Sequence, residues 1–283
     1  MSNIKILCDT MNDVPNNIME NYDIEILPTT IIFEGKEYKA GVDIDGDEFY
    51  KLLRSTENIP STSQITYATF KETFEKYINE GKKVLYLAGS SAASGTYQSA
   101  MIARNDVDGD VYIFDTYSLC IGGGLLIGEA ARLASEGHEI EYIISELEKY
   151  KEKVQVYFSV DSLDYLHKGG RISGTKAAIG TLLNIKPILK IEDGLVKQKT
   201  QVRGSKKIVP ALIEQLKSEI GEDFSDKDVY VGYGDDLKER DRFVEKVKEE
   251  LKPKNVYTFQ IGACVACHSG PSVLGIACLN KQL

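Results

Sequence analysis

Residues 89–96 form a run of small and hydroxyl-bearing side chains, Gly-Ser-Ser-Ala-Ala-Ser-Gly-Thr, whose chemistry suits a charged ligand. The apolar residues 84–87 before this run predict a buried strand, and residues 97–104 after it predict a helix. The first N–H groups of a helix have no partner inside the helix, and the helix dipole adds partial positive charge there. The pattern therefore predicts a site for the anionic group of a ligand. The alternative is a serine-capped connection that binds nothing.

A second hydroxyl-rich segment, residues 60–64, precedes another predicted helix. It reads Pro-Ser-Thr-Ser-Gln, and the apolar residues of the helix that follows share one face. Capping that helix would use one hydroxyl. The other hydroxyls remain free for a ligand, so we expect residues 60–64 to form a loop that presents them.

A third group, Cys264-Val-Ala-Cys267-His268, matches the attachment pattern of c-type haem. We interpret the match as a coincidence, because haem attachment needs export and we find no signal peptide before the first predicted strand. Zinc is also disfavoured, because two cysteines and one histidine lack a clear fourth ligand. The Ser-Gly-Pro that follows predicts a turn holding His268 at a strand edge. From the residues alone, the favoured interpretation of His268 is a structural histidine.

Three further motifs give weaker signals. Phosphoaspartate enzymes usually have a second aspartate two residues after the first; Asp9 has Met11 there, so a loop or capping role is predicted. Ser173 and Lys176 fit the Ser-x-x-Lys hydrolase motif, but its companion motifs are missing and we regard the match as chance. The glycines at 122–124 predict either close packing or room for a slender apolar ligand.

Composition narrows the classes of function. The 283 residues include 34 basic and 43 acidic side chains, and the net charge of -9 argues against general nucleic-acid binding. No apolar run approaches the length of a membrane span. Five cysteines in mostly apolar surroundings suit reduced thiols, so we expect a cytoplasmic protein.

The elements that must position these groups alternate between strand and helix patterns. They predict an α/β fold with two domains, residues 1–153 and 154–283. We expect each domain to be a mainly parallel sheet flanked by helices. In the second domain, Asp193-Gly194 predicts the turn of a hairpin.

Five stretches in this order resemble the DegV family of bacterial fatty-acid-binding proteins. They are Asp9-Thr-x-x-Asp13, Thr62-Ser-Gln64, Ser94-Gly-Thr-Tyr-Gln-Ser99, Tyr165-Leu-His-Lys-Gly-Gly-Arg-Ile-Ser173 and His268-Ser-Gly-Pro271. The resemblance covers essentially the whole chain. The chain departs from the common family pattern at Ile65, at Ala92-Ala93 and at Ser272, which concern loop shape.

The resemblance implies a two-domain protein that holds a long-chain fatty acid in a buried apolar channel between its domains. In the family, a threonine, a serine and a histidine bind the carboxylate, and these match Thr62, Ser94 and His268. The family also implies a separate fatty-acid kinase, to which the carrier presents its ligand for acyl-phosphate formation in phospholipid synthesis. Arg171 and Arg203 match basic residues that would contact the kinase or the phosphate.

We add Ser63, Gly95 and Thr96 as supporting residues of the carboxylate site. The favoured function is a carrier with no catalytic residue, no metal and no cofactor beyond its fatty acid. We also expect transient contact with a membrane.

Two alternatives compete with the carrier. An acyl hydrolase or acyltransferase would use Ser94 as nucleophile and His268 as base, but Gly-x-Ser-x-Gly is absent and no acid is evident to orient the histidine. A redox or metal protein would use Cys264 and Cys267.

Overall fold

The computed structural model of the chain describes residues 3–172 and 184–281. The strands are β1 Ile4–Asp9, β2 Ile24–Leu27, β3 Thr30–Phe33, β4 Lys36–Lys39, β5 Ser61–Ser63, β6 Lys83–Ala88, β7 Val111–Asp115, β8 Val154–Ser159, β9 Ile185–Glu192, β10 Leu195–Arg203, β11 Asp228–Tyr233, β12 Asn255–Gln260 and β13 Leu274–Leu279. The α-helices are α1 Asn16–Met19, α2 Gly46–Arg54, α3 Tyr67–Asn79, α4 Thr96–Asn105, α5 Ile121–Ser135, α6 Ile140–Lys151, α7 Asp164–Gly169, α8 Ile208–Ile220, α9 Leu237–Leu251 and α10 Ala263–Ser269. Ser173 and Lys176 lie outside the described residues.

The amino-terminal sheet is parallel, with strand order β2-β1-β6-β7. Residues 84–88 of β6 are completely buried, because helices pack on both faces of the sheet. Cys8 of β1 lies opposite Leu87 of β6. The loops that follow these two strands, which carry Met11 and Ser94, therefore begin side by side at one edge of the sheet.

A small antiparallel sheet with strand order β4-β3-β5 brings Thr62 opposite Ile31. The prediction of a loop is thus wrong at residues 61–63, whose backbone pairs with β3 as an edge strand. The cap of the next helix is Thr66, whose side chain accepts a hydrogen bond from the backbone N–H of Thr69. The hydroxyls of β5 are therefore not used for capping.

The carboxyl-terminal sheet has strand order β10-β9-β8-β13-β11-β12. Only the β11–β12 pair among its described strands is parallel, so the prediction of a mainly parallel second sheet is wrong. Two features reverse the strand direction. The hairpin at Asp193-Gly194 forms as predicted, with both residues at positive φ, and the final strand β13 inserts antiparallel between β8 and β11.

The α/β class is confirmed, whereas the domain boundary after residue 153 stays a prediction. It lies between α6 and β8. None of the helices in the described ranges has the length and apolar character needed to cross a membrane.

Helix α5 continues through three consecutive glycines because its backbone packs directly against the loop after β1. A Cβ atom at Gly124 would lie 2.1 Å from the carbonyl oxygen of Asp13. Each glycine costs a helix roughly 1 kcal/mol relative to alanine, and the burial of the helix offsets this cost. Close packing, one of the two predicted alternatives, is confirmed.

Candidate functional site

A cavity of about 250 Å³ lies between the two large sheets. Most of its wall is apolar, and we call this part the apolar end. It includes Val156, Phe158, Val196, Phe259, Ile261 and Ile276. Thr62, Ser94, Arg171 and His268 also line the cavity, and we call this group the polar end. The hydrogen bonds described below place these four residues and the segments that carry them together.

Thr62 and His268 are in direct contact although they are far apart in the chain. Thr62 Oγ1 lies 2.9 Å from His268 Nε2. Thr62 is on β5, and His268 is in the last turn of α10. This contact joins the small sheet to the carboxyl-terminal part of the chain.

Ser94 lies in the loop between β6 and α4, where its hydroxyl forms a local pair. Ser94 Oγ donates to Thr96 Oγ1 at 3.0 Å and accepts from the Thr96 backbone N–H at 3.2 Å. Thr96 is buried, and its Oγ1 also accepts from the backbone N–H of Ile65 at 3.3 Å. The predicted supporting residue Thr96 therefore fastens the Ser94 loop to the segment that follows Thr62.

The other two predicted supporting residues lie on the rim of the cavity. Ser63 and Gly95 both line it and are exposed. Gln64, a neighbour of Ser63, also lines the cavity and donates through Nε2 to Ser99 Oγ at 3.3 Å. Within the described residues, the polar end thus reaches the protein surface.

Arg171, which follows α7, bonds to the loop between β6 and α4. Its Nε donates to the carbonyl oxygen of Ala93 at 3.0 Å, and its Nη1 donates to the carbonyl oxygen of Gly169. The guanidinium therefore lies beside the Ser94 loop, in the wall of the cavity. Arg203, which was predicted to act with Arg171, is exposed at the end of β10 and is not part of the described cavity wall.

The polar end carries one positive charge, on Arg171. Burial, together with the nearby Arg171 charge, lowers the pKa of His268 to about 4. His268 is therefore neutral at pH 7. Its Nδ1 atom is buried and has no hydrogen-bond partner among the described residues, and Gly169 packs against it so closely that a Cβ there would lie 2.2 Å away.

The cysteine–histidine motif is helical. Residues 264–268 belong to α10, so the predicted position of His268 at a strand edge is wrong. The turn predicted from Ser-Gly-Pro is present and follows the helix, at residues 270–272. Cys264 and Cys267 are buried free thiols, and burial raises the pKa of Cys264 to about 12. No group of three or more His, Cys, Asp or Glu side chains in the described ranges could hold a metal ion.

The cavity contacts of Arg171 were missed by sequence reasoning, as were the individual residues of the apolar wall and the part that Met11 has in lining the cavity. Asp9 does have the predicted loop role: its Oδ1 accepts from the backbone N–H of Met11 at 2.8 Å. Met11 itself lines the cavity. The available signal for the wall was the alternation of inward side chains along strands, as at Val156 and Phe158.

Comparison with known proteins gives consistent findings. A family model described as "Uncharacterised protein, DegV family" matches residues 3–281. A DegV domain-containing protein of Caldanaerobacter subterraneus subsp. tengcongensis is 37% identical, over 98% of both chains. A DegV lipid binding protein from Thermotoga maritima has a TM-score of 0.89 and 31% identity, over 99% of both chains. A stearic acid-binding protein from Eubacterium ventriosum ATCC 27560 has a TM-score of 0.90 and 28% identity, over 98% of both chains.

Proposed function

This chain belongs to the DegV family, and on that premise we propose that it is a non-catalytic carrier of a long-chain fatty acid. The acyl chain would occupy the apolar end of the cavity, and the carboxylate would be bound at the polar end. The fatty-acid ligand of the structural neighbour from Eubacterium ventriosum supports this class of ligand.

The observation that carries the proposal is the division of one cavity into an apolar wall and a single polar group of side chains. A ligand that fits both parts is a long apolar molecule with one polar terminus. About 15 buried methylenes would contribute roughly 12 kcal/mol of gross binding free energy, at ~0.8 kcal/mol each. Losses of translational and conformational freedom offset part of this.

The polar end offers the donors that a buried carboxylate needs. An unpaired carboxylate would be expensive to bury, whereas hydroxyl and charged donors stabilise it. With a proton on Nε2, His268 donates to Thr62 Oγ1, which leaves the threonine hydroxyl hydrogen free for the ligand. Ser94 supplies a second hydroxyl hydrogen when its hydroxyl turns from Thr96 Oγ1 to the carboxylate, and Arg171 supplies the compensating positive charge.

The exposed rim supports presentation of the carboxylate to a separate kinase. Acyl-phosphate formation requires that a phosphate donor reach the carboxylate while the tail stays buried. Ser63 and Gly95 are exposed beside the polar end, so the carboxylate would lie nearer the surface than the tail. Arg203 is exposed and remains our proposed contact for the kinase.

The geometry does not favour the hydrolase alternative. Ser94 Oγ donates to Thr96, and His268 Nε2 contacts Thr62, so the nucleophile and base are not paired with each other among the described hydrogen bonds. Activation of Ser94 by His268 as base requires that pairing.

Mass spectrometry of solvent extracts from gently purified protein tests the proposal, followed by calorimetric titration of delipidated protein with stearic acid. We expect one fatty acid per chain and saturable binding. Absence of fatty acid in the extract together with no binding on titration would overturn the carrier function. Incubation of loaded protein with a bacterial fatty-acid kinase, ATP and hydroxylamine tests the second step, because hydroxylamine converts acyl phosphate to a hydroxamate. We expect hydroxamate with loaded protein, and its absence would overturn presentation to a kinase.

A further inference from the structure

The end of β1 and the loop after it carry two acidic side chains that bond to two of the segments that form the polar end. Asp9 accepts from the start of the Ser94 loop, and Asp13 accepts from the start of the helix that carries His268. We infer that Asp9 and Asp13 are positioning residues, which fix the Ser94 loop and His268 relative to each other so that one carboxylate can contact both. This inference rests on the proposed function for its ligand.

Asp9 fixes the beginning of the Ser94 loop. The carboxylate is fully buried, and its Oδ2 accepts from the Gly89 backbone N–H at 3.0 Å and from Tyr86 Oη at 2.6 Å. Gly89 is the first residue after β6, and a Cβ there would lie 2.8 Å from Met11 Cβ. The Met11 side chain therefore packs against the Gly89 backbone, in addition to the hydrogen bond from Gly89 to Asp9.

Asp13 bonds in a similar way to the start of α10, in the carboxyl-terminal part of the chain. Its Oδ1 accepts from the backbone N–H of Gly262 at 3.0 Å, and its Oδ2 accepts from Cys120 Sγ at 2.9 Å. Gly262 is the N-cap of α10, and His268 is in the same helix. A displacement of Gly262 would therefore displace the imidazole.

The loop between the two acids has little freedom to move. The Asp13 backbone N–H donates to the Cys120 carbonyl at 3.1 Å, and the Cys120 N–H donates to the Met11 carbonyl at 2.8 Å. Thr10 Oγ1 lies 2.9 Å from Thr29 Oγ1 on the other side. Asp9 and Asp13 thus belong to one braced segment and do not act as separate contacts.

Burial of the Asp13 carboxylate raises its pKa to about 6, so the fold holds this charge at an energetic cost. Hydrogen-bond strength depends steeply on distance and angle. The affinity for a carboxylate that bonds to both the Ser94 loop and His268 therefore depends on the distance between them. The role of Asp13 in positioning α10 gives a reason for a buried carboxylate at this place.

The test compares Asp13→Ala with Asp13→Asn. Alanine removes the acceptor for the Gly262 N–H, whereas asparagine retains an oxygen that can accept it. We expect Asp13→Ala to weaken stearic acid binding at least tenfold and Asp13→Asn to stay within about threefold of the wild type. Asp235→Asn is the matched control, because it removes the Arg54 ion pair between the same two parts of the chain, outside the cavity wall. It should leave affinity unchanged.

A second readout needs no ligand. The imidazole ¹⁵N signals of His268 report its hydrogen bond to Thr62, and they should shift in ligand-free Asp13→Ala but not in Asp235→Asn. Asp9 accepts hydrogen bonds at both carboxylate oxygens, so the NH2 group of Asp9→Asn must face either the Met11 N–H or the Gly89 N–H and Tyr86 hydroxyl. This variant should weaken stearic acid binding with little change in these signals, because it acts on the Ser94 side. If Asp9→Asn does not fold, Gly89→Ala replaces it, since its Cβ would push against Met11 at the same contact.

The outcomes separate this inference from the proposed function. If the wild type binds no fatty acid, the carrier function fails, and the ligand-free His268 signals still decide the positional role of Asp13. If the wild type binds stearic acid and Asp13→Ala binds it equally well with unchanged His268 signals, the positional inference is overturned.

Discussion

The two ends of the cavity differ in how strongly their contributions to the free energy of ligand binding would depend on geometry. The apolar end would contribute free energy roughly in proportion to buried area, without strict direction. The polar end depends on particular atoms at particular distances, such as the 2.9 Å contact of Thr62 with His268. The comparison teaches that the two ends would bind different parts of a fatty acid, the tail and the carboxylate, so substitutions at the two ends should have different signatures.

The largest effect should come from Arg171→Gln, which removes the positive charge from the polar end. Arg171 is half-buried, and loss of a hydrogen bond to a charged group typically costs about 1.5–3 kcal/mol, so affinity for stearate should fall by roughly ten- to a hundredfold. Titration with stearate and with its methyl ester separates charge from shape. The wild type should prefer the acid, and the variant should lose that preference; a retained preference would contradict the role of Arg171.

Loss of a single hydroxyl at the polar end should have a smaller effect on fatty-acid affinity. Thr62→Ala and Ser94→Ala should each weaken fatty-acid binding by about 1–3 kcal/mol and leave the fold intact. Calorimetry and thermal melts measure the two quantities. Ser61→Ala on the same strand and Ser91→Ala in the same loop are controls outside the cavity wall. Unchanged affinity in both test variants would mean that the carboxylate is bound elsewhere.

The apolar end should respond to ligand length in even steps. Shortening the acyl chain by two methylenes should cost about 1.6 kcal/mol, at ~0.8 kcal/mol each. The same decrement is expected in Ser94→Ala, because the two ends act independently. Competition titrations with a series of saturated acids give this slope. A slope that changes in the variant would show that the ends are coupled.

The smallest effect concerns pH and the ligand-free protein. Because the folded pKa of His268 is about 4, below the ordinary 6.5, protons bind the unfolded chain more readily. The contribution of neutral His268 to the free energy of unfolding is fully present above pH 6.5 and is lost as the pH falls towards 4. When the pH is lowered from 7.5 to 6, the free energy of unfolding of the wild type should fall by under about 1 kcal/mol more than that of His268→Gln. Denaturant unfolding measures this difference. An equal pH dependence in both proteins would contradict a neutral, buried His268.

The sequence predicted local features far better than contacts between distant segments. Residues 84–88 are apolar because both faces of β6 are covered, and the small residues after them mark the loop that carries Ser94. Neither signal depends on the rest of the chain. The hairpin at Asp193-Gly194 was predicted for the same reason, since its turn requires positive φ.

Contacts between distant segments had no local signal. Thr62 and His268 are 206 residues apart, and nothing in either segment by itself indicates their contact. The resemblance to a family grouped them where periodicity could not. The antiparallel second sheet was missed because strand patterns show which side chains are buried but not the direction of the neighbouring strand. The contact of Arg171 with Ala93 was missed because it depends on how the two parts of the chain meet.

The close approach of helix α5 to the carbonyl oxygen of Asp13 has an evolutionary consequence. A methyl group at Gly124 would overlap that oxygen and move the segment that spaces the two halves of the polar end. Under the proposed function, selection for fatty-acid binding would therefore act on Gly124, which is inside the helix and is not part of the described cavity wall. Because the contact is with backbone, position 124 should stay glycine in a family alignment whatever residue stands at position 13. A screen for lipid uptake should reject variants at position 124 that a screen for solubility accepts.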